Sequence, residues 1–93
     1  MTIRYLIPAY LRPHAGGRTE LSLEVSGDTL ADALAALWAT HLGLRDRVVD
    51  ERGRPRQHIN IFVNNDNSRD AGGFAAPIKD GDEIMIVPNI SGG

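Results

Sequence analysis

Apolar residues alternate with polar ones at both ends of the sequence, and between them lies one stretch of helical periodicity. Ile3, Tyr5 and Ile7 alternate around Arg4, the period of two that a strand requires, and Pro8 ends the pattern. Residues 8–17 carry two prolines and a Gly-Gly pair and read as a turn-rich connection. Leu21, Leu23 and Val25 then alternate with Ser22 and Glu24, so a second strand follows and an opening hairpin is expected. Thr29 and Asp32 have capping-box spacing ahead of Leu30, Ala33, Leu34, Leu37 and Trp38, which recur at helical intervals. The helix is expected to stop at Gly43, in the position after the C-cap where positive φ costs glycine little.

Residues 44–58 interleave Arg45, Arg47, Arg52, Arg54 and Arg56 with Asp46, Asp50 and Glu51, and read as a solvated, loop-rich segment with one turn of helix around residues 45–49. Ile59, Ile61 and Val63 give the clearest strand signal, closed by the turn-prone residues 64–67. A short strand is expected near Ser68 and Arg69. After the Gly72-Gly73 pair and the Asp80-Gly81-Asp82 turn, Ile84 and Ile86 mark a last strand that stops at Pro88. The order β-β-α-β-β predicts an α+β fold of the β-grasp, ubiquitin-like type: a mixed sheet of four to five strands with one main helix across one face, and the first and last strands adjacent and parallel. A ferredoxin-like sandwich would need a second crossover helix, and no pattern of that length is visible. Ile61, Ile84, Ile86, Leu34 and Leu37 are the expected core.

Composition narrows the chemistry. With 93 residues there is room for one domain, here residues 1–88, followed by a flexible tail of residues 89–93. The absence of cysteine removes disulfides, thiolate catalysis and Cys-based metal sites. His14, His41 and His58 lack ligand spacing, so no metal is expected. A net charge of −2 does not supply the positive field of a nucleic-acid binder, and no apolar run is long enough for a membrane span. A cytoplasmic monomer without bound cofactor is the expectation. If Ile61, Ile84 and Ile86 face the helix, Phe62, Met85 and Val87 face the other way, and they become candidates for a partner-docking surface.

The sequence closes with Pro88, Asn89, Ile90, Ser91, Gly92 and Gly93. Together with IPAYLRPHAGG at the start, GDTL before the helix, INIFVN in the central strand and GGFAAPIKDGDEIMIVPNISGG to the end, this resembles the ThiS/MoaD family of ubiquitin-like sulfur carrier proteins, and its CysO-type carriers most of all. The resemblance covers nearly the whole chain. It implies that an ATP-dependent, E1-like adenylating and sulfurtransferase enzyme activates the carboxylate of Gly93, and that sulfide converts the acyl adenylate to a thiocarboxylate.

By the same resemblance the thiocarboxylate would donate sulfur to a biosynthetic enzyme, for cysteine, thiamin, molybdenum cofactor or a thiolated natural product such as a thiosugar. The protein would be a cosubstrate and not an enzyme. Asn89, Ile90, Ser91 and Gly92 would form the segment inserted into the partner. Extended, the five tail residues span about 17 Å at most, and glycine at the last two positions lets the backbone pass where a side chain would clash. Two other uses of such a terminus are a ubiquitin-like modifier joined to lysines and a small accessory subunit of a synthase.

Overall fold

The computed structural model describes residues 1–70 and 72–88. Five strands form a single sheet: β1 (Thr2–Leu6), β2 (Glu20–Glu24), β3 (Ile59–Val63), β4 (Asp66–Asn67) and β5 (Glu83–Pro88). Their spatial order is β2-β1-β5-β3-β4. β1 pairs antiparallel with β2 and parallel with β5, and β5 pairs antiparallel with β3. The last strand therefore lies at the centre beside the first, as the β-grasp expectation requires. Residues 8–17 hold more structure than a turn: a 3₁₀ helix runs over Ala9–Ala15 with Pro13 inside it, and it buries Leu11 and Ala15.

The helix α1 (Leu30–Thr40) begins where the capping box places it. The Asp32 amide donates to Thr29 Oγ1 at 3.3 Å, and the Thr29 amide donates to Asp32 Oδ2 at 3.2 Å, so two otherwise unpaired N–H groups of the first turn are satisfied. Gly27, at φ 109°, makes room for that carboxylate; a Cβ there would sit 2.3 Å from Asp32 Oδ2. Hydrogen bonds from the Thr29 side chain and backbone hold the Asp32 carboxyl below the usual carboxylate range. A depressed carboxylate stabilises the fold above its unfolded pKa of about 3.9, and the contribution fades as pH falls through the lower folded value. Thr29→Ala is expected to cost about 1 kcal/mol in urea titration at neutral pH, and progressively less as pH falls through the lowered pKa of Asp32.

Helix α1 stops earlier than Gly43. Thr40 Oγ1 donates back to the carbonyls of Ala36 and Leu37, and His41 leaves helical geometry at φ −137°, ψ 75°. Gly43 is not a positive-φ terminator; it lies inside a second helix, α2 (Leu42–Val48). Nor is the following segment the solvated loop its charges suggest, because Leu44, Val48 and Val49 are all buried. Gly43 faces the 3₁₀ helix, its Cβ position 3.5 Å from His14 Nδ1. The short strand expected at Ser68 and Arg69 is instead β4, two residues inside the run assigned to a turn. Ser68 is buried just beyond it, its amide donating to the Ile61 carbonyl at 2.8 Å.

The core lies between the sheet and α1. Leu30, Ala33, Leu34 and Leu37 of the helix share one buried cluster with Ile3, Tyr5, Ile59, Ile61, Ile84 and Ile86 of the strands. Trp38 packs on its margin, half-buried. The Asp80-Gly81-Asp82 turn fixes where β5 begins. The Gly81 amide donates to the Thr2 carbonyl at 2.8 Å, Asp82 accepts from the Lys79 amide at 2.8 Å, and its second oxygen accepts from Asn64 Nδ2 at 3.1 Å. The turn thus ties β5 to the start of β1 and the end of β3, which sets the register that carries the chain to Pro88.

Candidate functional site

The parallel pairing of β1 and β5 decides where the chain leaves the sheet. Tyr5 lies opposite Ile84 and Leu6 opposite Met85; on the other side Pro88 lies opposite Ile59. Residue 89 therefore continues from the end of the sheet where β1 finishes and β3 begins. Asn89, Ile90, Ser91, Gly92 and Gly93, the residues predicted to be inserted and modified, lie outside the described residues.

Beside that exit, the face of the sheet turned away from the helix carries the predicted docking residues. Phe62 and Met85 are direct cross-strand partners, and Val87 lies opposite Asn60. All three are half-buried rather than open. The register adds a residue that the sequence reading missed: Leu6, opposite Met85 on β1, so that one row across the sheet runs Glu20, Leu6, Met85, Phe62, Asn67. A signal for Leu6 was present in its position two residues after Arg4, on the outward phase of β1. A shallow groove of about 270 Å³ runs along this edge, between Leu6, Ile7 and Pro8 on one side and residues 85–88 on the other. Next to the apolar row, Arg4 is paired with Glu83 at 3.1 Å and Glu20 at 3.5 Å. The outer face is thus an apolar strip with a charged border.

The titratable groups that are displaced from their ordinary values serve the fold. Burial pushes the Tyr5 phenol up to about 12, and its hydroxyl donates to the Ala33 carbonyl of α1 at 2.7 Å. Burial also raises Tyr10. Backbone N–H groups of Arg54 and Arg52 lower Asp50, which organises the turn after α2. Among the described residues no three His, Asp or Glu side chains come together as a metal site, and no helix is long and apolar enough to cross a membrane.

The fold defines a ubiquitin-like domain whose central strand, β5, ends at Pro88. The ThiS family model matches residues 5–93, and the chain belongs to that family. It is 39% identical over 95 residues to the sulfur carrier protein CysO of Mycobacterium tuberculosis, covering all of both chains. It is 30% identical to small archaeal modifier protein 3 of Haloferax volcanii over 83% of this chain and 84% of that one. Among solved structures, a chain of the BexX/CysO complex of Amycolatopsis orientalis superposes with a TM-score of 0.84 at 35% identity, covering 98% of this chain and 99% of that one. These relatives are sulfur carriers and a small archaeal modifier.

Proposed function

We propose that the protein is a sulfur carrier whose Gly93 carboxylate is adenylated and then converted to a thiocarboxylate. The observation that carries this reading is the central, parallel position of β5 in a ThiS-family chain that matches a sulfur carrier end to end. That position holds Pro88 against Ile59 of β3 in the middle of the sheet, so the five residues beyond it can enter a partner while the domain stays outside.

In the first step a carboxylate oxygen of Gly93 bonds to the α-phosphorus of ATP, the α,β-phosphoanhydride breaks and pyrophosphate leaves. In the second, sulfide supplied by the activating enzyme's sulfur donor attacks the acyl carbon, the bond to AMP breaks, and the product is a thiocarboxylate anion. Its sulfur then attacks an electrophilic carbon held by a biosynthetic enzyme and displaces the leaving group on that carbon, and hydrolysis of the resulting thioester returns the Gly93 carboxylate and leaves the sulfur on the acceptor as a thiol. In these steps the activating enzyme supplies the catalysis and the chain is the substrate. It is a cosubstrate, monomeric when free, and the cytoplasm, where ATP and sulfide donors are available, is its assigned compartment. Incubation with ATP, sulfide and an E1-like enzyme of the same organism should yield the mass change of one oxygen replaced by sulfur.

Docking is assigned to the outer-face row. A few apolar anchors generally dominate an interface, each worth about 2 kcal/mol or more when truncated. Phe62→Ala and Met85→Glu are therefore each expected to weaken binding to the activating enzyme by ~30-fold, with melting curves still cooperative. Unchanged binding in both variants would remove Phe62, Met85 and their neighbour Val87 from the interface.

The likeness to a small archaeal modifier favours one second reading, conjugation to lysines through the same activated Gly93. Mass spectrometry of endogenous material separates the two, as a thiocarboxylate in one case and isopeptide-linked conjugates in the other.

A further inference from the structure

Charge is divided between the two ends of the sheet. Where β5 begins, Asp80, Asp82 and Glu83 lie with Glu24 of β2 and with Asp28 and Asp32 at the start of α1. Where β5 finishes lie the 3₁₀ helix and α2, packed on each other, and these two elements with the loops that follow them carry every arginine of the chain except Arg4 and Arg69. Arg12 Nε donates to the carbonyl of Ile7, just past β1, the Arg56 amide donates to Val48 of α2, and Arg69 Nη2 donates at 3.0 Å to Ile59, the residue opposite Pro88. Asp46, Asp50, Glu51 and Asp70, with Glu20 at the start of β2, dilute this end without reversing its sign. A chain of net charge −2 therefore presents a basic end, and it is the end from which residue 89 continues.

Within that end a concavity of about 260 Å³ opens between Arg54, Pro55, Ser68, Arg69, Gly73 and Phe74. Arg69 is braced by its bonds to main-chain carbonyls, so one guanidinium is held in place before anything arrives. The Arg54 amide is fixed on Asp50 Oδ1 at 3.0 Å, whereas its Nε stands 3.9 Å from the other Asp50 oxygen and its side chain is 66% exposed. Arg54 is thus loosely ion-paired with Asp50 through Nε, and most of its side chain stays open to solvent. Phe74 and Pro55 supply an apolar wall. Two planar guanidinium groups beside an aromatic ring match a carboxylate on a short apolar stem, which is what an Asp or Glu side chain of a protein offers. A nucleic-acid strand would need a continuous basic track, and the acidic opposite end would repel it.

We propose that this notch seats an acidic side chain of the protein that accepts the tail. The proposal rests on reading residues 89–93 as the inserted segment, since a partner that takes them in must close around the same end of the sheet. Isotope-labelled full-length protein titrated with a blocked Glu-Glu-Tyr-Glu-Glu peptide should show its first NMR shifts at Arg54, Arg69, Gly73 and Phe74. Arg54→Glu should weaken that binding at least ~10-fold while leaving the melting curve in place, and a peptide with Gln for every Glu should not bind. Affinity unchanged in Arg54→Glu, shifts spread evenly over the arginines of α2 and the 3₁₀ helix, or tighter binding of a single-stranded RNA would each overturn it. Because the titration uses neither ATP nor Gly93 chemistry, a silent notch on a chain that is thiocarboxylated and a responsive notch on one that is not are separable results.

Discussion

A chain lacking Gly93, or carrying one residue beyond it, is expected to lose thiocarboxylate formation altogether and to keep its stability. The reacting carboxylate oxygen has to come within about 3 to 3.5 Å of the α-phosphorus, and one residue of extended chain moves it by up to ~3.6 Å. Pro88 is fixed in the sheet opposite Ile59, so the domain cannot slide to compensate without breaking the β3–β5 register. An added residue also brings a side chain to a passage that two glycines suit. Loss of positioning of this size costs orders of magnitude in rate, whereas a change at the last residue, five positions past β5, is expected to fall within about 0.5 kcal/mol in stability. ATP–pyrophosphate exchange, intact mass and thermal melting together check the two halves of the expectation. Full thiocarboxylation of the truncated chain would show that Gly93 is not the residue that carries sulfur.

What could be read beforehand followed from how local each signal is. The alternation around Arg4, Asn60 and Met85 is written in adjacent residues, so β1, β3 and β5 were legible, as was the capping box at Thr29 and Asp32. Of helix α2 only the single turn expected around residues 45–49 was legible, because its own charges hid the rest. Leu44 and Val48, four apart, are its inward stripe, but Arg45, Asp46 and Arg47 between them made the segment look solvated. Gly43 misled because a glycine after an apolar stripe commonly ends a helix, whereas here Thr40 and His41 had already ended it. Two-residue β4 has no apolar residue to announce it and exists through pairing with Phe62 and Val63. Leu6 and the Arg54–Arg69 notch depend on strands and loops far apart in sequence, and only the parallel β1–β5 register and the return of Arg69 to Ile59 bring them together.

The fold itself should depend most on the stripe of α1. Leu37 is fully buried and belongs to the cluster that includes Ile61, Ile84 and Ile86, so Leu37→Ala removes apolar atoms that solvent cannot replace. The expected loss is about 2 to 5 kcal/mol, the range for a leucine truncated in a close-packed core. A domain this size has on the order of 5 to 15 kcal/mol in total, and each kilocalorie moves its melting midpoint by about 4 to 8 °C. Leu42→Ala on α2 is the matched control, because Leu42 is 74% exposed and its loss should stay within about 0.5 kcal/mol. A Leu37→Ala loss no larger than that of the control, in denaturant titration, would take Leu37 out of the core. The same variant tests how folding and sulfur chemistry are linked: Gly93 lies beyond the last strand, so thiocarboxylation per folded molecule should match the parent, and the yield should fall only with the folded fraction as temperature rises.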